Sequence, residues 1–440
     1  MAVRKSLAEM ERSVPDSDAR KRLAAFLDED SFTELDKFLS ADGGLSSVVA
    51  GSGTVGGEEV LVFAQDVSVK GGAVNTAAAL KIKRVYELAA RNGIPVVGFF
   101  DSKGADINEG MAVLSAYGDI MKASAAVSGV VPQIAVVTGV CAGCAAMLAA
   151  MADVVIATEK SELFLTAPFN NADGKLAGAG TAENAAKAGI CQILAKDGAE
   201  AVAKAKSLVS MLPLNNLDIG FVEDASENDA AISSAMKGAE LAAAVAQKGS
   251  VIELGEKFGT AAYTALGALN GTTAAFVATD GAAKLTAADC AKIARFVQFA
   301  DLFSIPVVTF VNTEGFEGSS AAELGGSVRD CAKLAQVYAT ATTLKVNVVT
   351  GKAFGAAYAA FDSADVSFAW ESAEIAPMSP EAGKAFMGEE LTTDPFAAAA
   401  LGMVDGVIAA EDTREALSKT LGSFGTKRMN PVRKRANYTF

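Results

Sequence analysis

The feature that most restricts this chain is that it repeats itself. Residues 94–104 read IPVVGFFDSKG and residues 305–315 read IPVVTFVNTEG, an offset of 211 at which Ile, Pro, both Val, Phe and Gly coincide. Residues 136–145 (VVTGVCAGCA) match 348–357 (VVTGKAFGAA), and 152–162 (ADVVIATEKSE) match 364–374 (ADVSFAWESAE), both at an offset of 212. Three blocks in one order with a drift of a single residue identify a tandem duplication. Such a chain must fold as two similar units with a core each, and 440 residues suffice for two units of about 200. The stretch Leu212-Pro213-Leu214-Asn215-Asn216 places the boundary shortly after it, near residue 235, so the expected domains are 1–235 and 236–440.

Each half carries the same parts. A β-rich stretch (59–65; 273–279) precedes an alanine-rich amphipathic helix (75–92; 287–303) and a buried strand through the IPVV block. After a glycine-bearing loop and a second helix comes another apolar strand (134–137; 345–349), then a glycine turn that opens a helix, then the short ADV strand. Continuous apolar strands alternating with helices predict an α/β fold, with parallel sheets joined by right-handed crossovers.

None of the 440 residues is histidine. That removes Ser-His-Asp and Cys-His nucleophiles, HExxH zinc sites and imidazole acid/base chemistry together. An enzyme built from this chain has backbone dipoles, carboxylates, lysines or an imported cofactor to work with, and no metal site is expected. The formal charge of −14 disfavours nucleic acid and anionic membrane as partners. Five scattered cysteines, with no signal peptide ahead of them, predict free thiols in a reducing cytoplasm. Cys141 and Cys144 form a lone C-x-x-C, better read as small residues beside a helix start than as a redox pair. The longest uncharged run, 123–152, is broken by Gly129, Pro132, Gln133, Gly139 and Gly143 and reads as strand, turn and helix rather than a membrane span.

The chemistry is expected at the repeated VVTGxxxG turn. A helix start leaves N–H groups without intrahelical partners and adds partial positive charge, and two such N–H groups aimed at one oxygen make an oxyanion hole. Small residues admit the ligand: Gly143, Cys144 and Ala145 in one half, Gly355, Ala356 and Ala357 in the other. Close packing of helix on sheet selects the same small residues, so one such turn is weak; two suit a reaction with two enolate-like partners.

At these residues the chain resembles the carboxyltransferase family of biotin-dependent acyl-CoA carboxylases and decarboxylases. The blocks that carry the likeness are FAQDVSVKGG (63–72), DSKGADINEG (101–110), GVCAGCA (139–145), EGFEGSSAAELGG (314–326), VRDCAKL (328–334) and GKAFGAAY (351–358). The start ARKRLAAFLDEDSFTEL (19–35) is similar too, and the match runs in order from about residue 19 to 410. The family includes propionyl-CoA carboxylase β-subunits and the α-subunits of methylmalonyl-CoA and glutaconyl-CoA decarboxylases.

The resemblance implies two tandem crotonase-like ββα superhelical domains, with acyl-CoA mainly against the first and biotin against the second. It also implies a homo-oligomer, from dimer to hexamer, whose sites form between subunits. Carried over, Gly143 and Cys144 hold the thioester oxygen, while Ala356 and Ala357, beside Gly355, hold the ureido oxygen of biotin. Gly71, Gly72, Gly104, Gly110, Gly325, Gly326, Tyr358 and Ala359 fall in blocks that shape the CoA and biotin channels; for the glycine pairs a plain turn role is equally expected. Biotin rides on a separate carrier protein and supplies the base, so no protein histidine is required.

The decarboxylase α-subunit, working with membrane subunits and so cytoplasmic but peripheral to a membrane, is preferred by a small margin. A carboxylase β-subunit partnered by a biotin carboxylase is the alternative. Several departures stand close to the substrate: Lys103 replaces a family glycine, Asp106 an arginine, Ala78 and Asp330 histidines, Asn312 an aspartate and Glu314 a proline. These departures motivate a third reading, a CoA-binding scaffold without catalysis. A plain enoyl-CoA hydratase or isomerase is a fourth. The basic tail (Lys427, Arg428, Arg433, Lys434, Arg435) is read as solvated, with contact to CoA phosphates as the alternative.

Overall fold

The computed structural model describes residues 6–41, 44–172, 178–222, 226–389, 391–425 and 427. It divides into two compact units, Met1–Asp218 and Ile219–Phe440. The division falls before residue 235 because the intervening segment is held by the second unit. Thr273 donates to the Gly220 carbonyl and Val222 to that of Gly271, both at 3.0 Å, and Ile232 is buried in the second core.

In the first unit the strands are β1 (Thr33–Leu35), the ribbon β2–β3 (Ser40–Ala41 with Gly44–Leu45), β4 (Val48–Val55), β5 (Glu58–Gln65) and β6 (Val96–Ser102). They continue with β7 (Gln133–Ala142), β8 (Val154–Thr158), β9 (Glu162–Phe164) and β10 (Ile193–Ala195). The main sheet runs β1-β4-β5-β6-β7-β8-β10, with β9 paired to β7. Its first two pairings are antiparallel and those from β5 onward are parallel.

The second unit repeats this plan with β11 (Ile252–Glu253), β12 (Ala262–Leu269), β13 (Thr272–Thr279), β14 (Val307–Thr313) and β15 (Lys345–Phe354), followed by β16 (Val366–Trp370), β17 (Glu374–Ala376) and β18 (Gly406–Ile408). Its order is β11-β12-β13-β14-β15-β16-β18, with β17 on β15.

Local chemistry explains the helices that cover each sheet. In Thr76–Asn92 the apolar residues Ala78, Ile82, Val85 and Ala89 form one stripe, all buried. Burial of Ile82 and Val85 contributes about 1.5–3 kcal/mol each, so a charge at Ile82 would detach the helix. Asn75 accepts the Ala78 N–H at 2.8 Å at its start, and Gly93, at φ +67, ends it. The repeat, Ala287–Leu302, begins with a Thr286–Asp289 capping box.

Both central strands run further than the expected 134–137 and 345–349, because the sequence suggests that Gly139 and Gly351 end them. Instead each glycine lies within its strand beneath a polar side chain. A Cβ on Gly139 would stand 2.1 Å from Asp101 Oδ1, and one on Gly351 2.5 Å from Asn312 Oδ1. Around these points β7 and β15 resume pairing with β6 and β14 after a register shift, while on their other side they exchange β8 and β16 for β9 and β17. Of the basic tail only Lys427 is described, and it pairs with Asp365 at 2.8 Å; Arg428, Arg433, Lys434 and Arg435 lie outside the described residues. Among the described residues no helix is long and apolar enough to cross a membrane.

Candidate functional site

The two repeated turns are built alike. In the first unit β7 ends at Ala142, Gly143 takes φ +59 and ψ −121, and the helix Cys144–Ala150 follows. Only glycine adopts such dihedrals without strain. The Gly143 N–H is already committed, donating to the Phe164 carbonyl of β9 at 2.8 Å. The expectation that it is a free donor is therefore not met; the glycine supplies the bend. Among the described residues the next amide, Cys144 N–H, has no hydrogen-bond partner. In the second unit β15 ends at Phe354, and Gly355, at φ +63, opens the helix Gly355–Phe361. Ala356 N–H and Ala357 N–H are likewise unpartnered among the described residues, and the Ala357 side chain is buried in the core.

A second loop stands beside each turn. After β6, the Ser102 hydroxyl accepts the Gly104 N–H at 3.0 Å. Val74 then donates to the Gly104 carbonyl and Asp106 to that of Val74, both at 2.9 Å. The amide between these bonds, Ala105 N–H, has no partner among the described residues. A Cβ on Gly104 would lie 3.2 Å from the Ala142 carbonyl, so this loop rests against the end of β7. The second unit copies the stitch: Gly315 donates to Thr313 Oγ1 at 3.2 Å, Leu285 to the Gly315 carbonyl at 3.0 Å and Glu317 to that of Leu285 at 2.8 Å. Here Phe316 N–H is the amide left over. Ala105 and Phe316 were missed in the sequence; the signal available was the glycine-bearing loop recurring at an offset of 211.

The remaining expected residues divide. Tyr358 and Ala359 join Gly355 and Ala356 in the wall of a cavity of about 470 Å³. Gly104 supports the first turn. Gly71 and Gly72 sit at φ +68 and +71 in the short 3-10 segment Lys70–Gly72. A Cβ on Gly72 would come within 2.1 Å of the Asp101 carbonyl, which explains that glycine by close backbone packing. Gly110, at φ +58, faces open space. Gly325 closes the helix Ser320–Gly325, and Gly326, at φ +80, separates it from Ser327–Thr340; neither lines the cavity.

Charges near the first turn are largely internal. Asp106 is buried and accepts from Lys70 Nζ at 2.8 Å, and that bond holds its carboxyl below the usual range. Arg22, from the helix Asp18–Phe26, reaches Asp101 Oδ2 at 3.0 Å, and its second terminal nitrogen is buried without a partner among the described residues. Burial pushes the Cys141 thiol well up, with the Asp101 charge adding to it, so Cys141 is no thiolate and the C-x-x-C is a packing feature. At the second turn Glu314 and Lys352 pair with each other, and Asp330 pairs with Arg329 at 2.8 Å. What the arrangement offers chemically is two turns with uncommitted backbone amides, the second beside a cavity that Asp362 and Asp394 line.

Comparison with known proteins bears on what uses such sites. The chain matches the carboxyl transferase domain over residues 16–387. It is 33% identical to the propionyl-CoA carboxylase beta chain of Cereibacter sphaeroides, across 95% of this chain and 93% of that protein. It is 32% identical to the methylmalonyl-CoA decarboxylase subunit alpha of Veillonella parvula, across 95% and 92%. Among solved structures it is similar to the transcarboxylase 12S hexamer with hydrolysed methylmalonyl-coenzyme A bound. There the TM-score is 0.90 and the identity 33%, over 99% of this chain and 94% of that one.

Proposed function

The chain belongs to the carboxyl transferase family, biotin-dependent acyl-CoA carboxyltransferases built on two tandem crotonase-like domains, and from that premise we propose how its two turns divide the reaction. Its substrates are of the propionyl-CoA and methylmalonyl-CoA type. The first unit holds the acyl-CoA, with the thioester oxygen on Cys144 N–H and the neighbouring Ala105 N–H. The second holds biotin, with the ureido oxygen on Ala356 N–H and Phe316 N–H. The observation that carries this reading is the twofold occurrence of one device: a strand–glycine–helix turn beside a hydroxyl-stitched loop with an uncommitted amide.

The residues present suit a biotin ring. Beside Ala356 N–H lies a largely apolar cavity with a few polar groups, Tyr358, Asp362 and Thr392 among them, the usual make-up of a small-ligand site. When bound, biotin supplies the carboxyl carrier and the base. The protein stabilises negative charge on two oxygens with fixed dipoles that need no reorganisation, which lowers the barrier without a titrating side chain. We take decarboxylation of a methylmalonyl-type thioester as the direction, with biotin on a separate carrier, membrane decarboxylase subunits as further partners and a homo-oligomer as the working form. Carboxylation by the same machinery, with a biotin carboxylase supplying the carrier, is the reverse reading.

The test is to incubate the full chain with methylmalonyl-CoA and a biotin ester, measuring CO₂ and propionyl-CoA. Biotin-dependent release is expected. Release that is absent with every malonyl-type CoA tried would sink the catalytic reading, and retained CoA binding would then favour the scaffold. The substitutions near the first turn weigh against the scaffold, because Asp106 is neutralised by Lys70 rather than left facing the substrate.

A further inference from the structure

Between Asp101 and Gly110, beside the first turn, the chain carries four ionisable side chains, and three of them are committed. Asp101 pairs with Arg22 and Asp106 with Lys70, while Glu109 accepts the Thr76 N–H at 2.7 Å where the helix Thr76–Asn92 begins. The fourth, Lys103, is exposed and has no ion-pair partner among the described residues.

Its backbone and stem are nevertheless held in place. Lys103 N–H donates to the Gly71 carbonyl at 3.2 Å. The side chain folds back over that glycine: a Cβ on Gly71 would meet Lys103 Cδ at 2.9 Å, Cε at 3.1 Å and Nζ at 3.4 Å. The segment from Gly71 to Val74 runs along the same loop, since Val74 donates to the Gly104 carbonyl. Lys103 directly precedes Gly104, which rests on the end of β7, and Ala105, whose N–H is uncommitted. Two residues span at most about 7 Å, so the ammonium belongs to the loop that presents the Ala105 amide.

Duplication supplies the internal control. At the offset of 211 Glu314 stands in the place of Lys103, and at 212 Lys352 stands in that of Val140. In the second unit these two side chains pair and neutralise each other. The first unit has the opposite sign at the loop and an apolar residue where the partner would be. The two turns share a backbone design and differ in having, or lacking, an open positive charge beside it.

Resting on the assignment of the acyl-CoA to the first unit, we propose that Lys103 is a specificity-determining residue of that turn. Its ammonium donates to the free carboxylate of a malonyl-type acyl group whose thioester oxygen lies on Cys144 N–H and Ala105 N–H. That carboxylate is one carbon removed from the thioester carbonyl, within a lysine's reach of the oxygen. The phosphates of CoA are set apart from it by the whole pantetheine arm. A hydrogen bond between charged groups is among the stronger kinds, so the turn holds a methylmalonyl-type thioester in preference to its propionyl-type product. The pair is made in the ground state and sets selection rather than the barrier.

The test is calorimetric binding of methylmalonyl-CoA and, separately, of propionyl-CoA to the full chain without biotin. The ratio of the two affinities cancels every contact to the shared CoA. Wild type should prefer methylmalonyl-CoA. Lys103→Met should lower that ratio about five- to tenfold, between a screened surface pair and a hydrogen bond between charges, with propionyl-CoA affinity within twofold. Lys103→Arg should keep the preference, and unchanged melting temperatures check the fold. A ratio unchanged in Lys103→Met overturns the proposal, and so does an equal loss for both thioesters, which would mean that the lysine reads the phosphates. A wild-type chain that binds neither thioester sinks the placement of acyl-CoA as well. Selective binding that depends on Lys103 but is followed by no turnover with biotin would count against the catalytic reading alone.

Discussion

Substitution of Gly139 by alanine isolates one contact on which the first turn rests. Gly139 has no positive φ, so added backbone strain plays no part. A Cβ there would meet Asp101 Oδ1 at 2.1 Å, Cγ at 2.5 Å and Oδ2 at 2.7 Å, and all three atoms must move. The shift costs about 1–3 kcal/mol as overpacking. It also breaks the Arg22–Asp101 pair, whose side chains are only 23% and 13% exposed, for roughly 1 kcal/mol more. The sum is about 2–4 kcal/mol, felt locally in β6 and β7. Hydrogen exchange of peptides spanning 96–102 and 133–142 should then be faster by roughly 30- to 700-fold, at about 1.4 kcal/mol per tenfold. The same substitution made on Asp101→Ala should be nearly silent, because the obstructing carboxylate is gone. Exchange within threefold of wild type, or an equal penalty in the Asp101→Ala background, would refute the reasoning.

Two further outcomes follow from the geometry. Gly143→Ala forces a Cβ into φ +59, ψ −121, a strain of about 1–3 kcal/mol; relaxation swings the Cys144 N–H away, so kcat should fall about 10²- to 10³-fold with the fold kept, and a kcat within threefold of wild type would contradict this. Lys292, buried, donates to the Gly259 and Ala262 carbonyls at 3.3 and 2.6 Å, and burial lowers its pKa to about 8 against the pull of Glu253 and Asp289. The unfolded chain therefore binds the extra proton between about pH 8 and 10.4, and stability relative to Lys292→Met should rise across that window by on the order of 3 kcal/mol; urea melts at pH 7.5 and 10.5 showing no difference, or a fall, would contradict it.

Much of the fold was legible because duplication doubles every signal: each strand, helix and glycine turn could be checked against its copy. What stayed hidden depended on partners distant in sequence. Nothing near Gly143 announces that Phe164 takes its N–H, and Ala105 is left free only because Val74, thirty-one positions earlier, takes the bonds on either side of it. The reversed charge at Asp106 looked disruptive until Lys70, on a separate loop, was seen against it. The boundary near residue 235 followed composition, whereas the segment after Asp218 is bound by amides on the second sheet. Tyr358 was legible within its motif, but the cavity it lines is assembled from the distant segments 375–377 and 392–403.

Because every ladder of the first sheet is closed by strands from its own half, ending with β10 at Ala195, nothing synthesised after the helix Gly198–Met211 is needed to finish it. The leading half can mature while the trailing half is still emerging from the ribosome. A gene cut at the seam between Asp218 and Ile219 should then yield two polypeptides, each able to fold without a template.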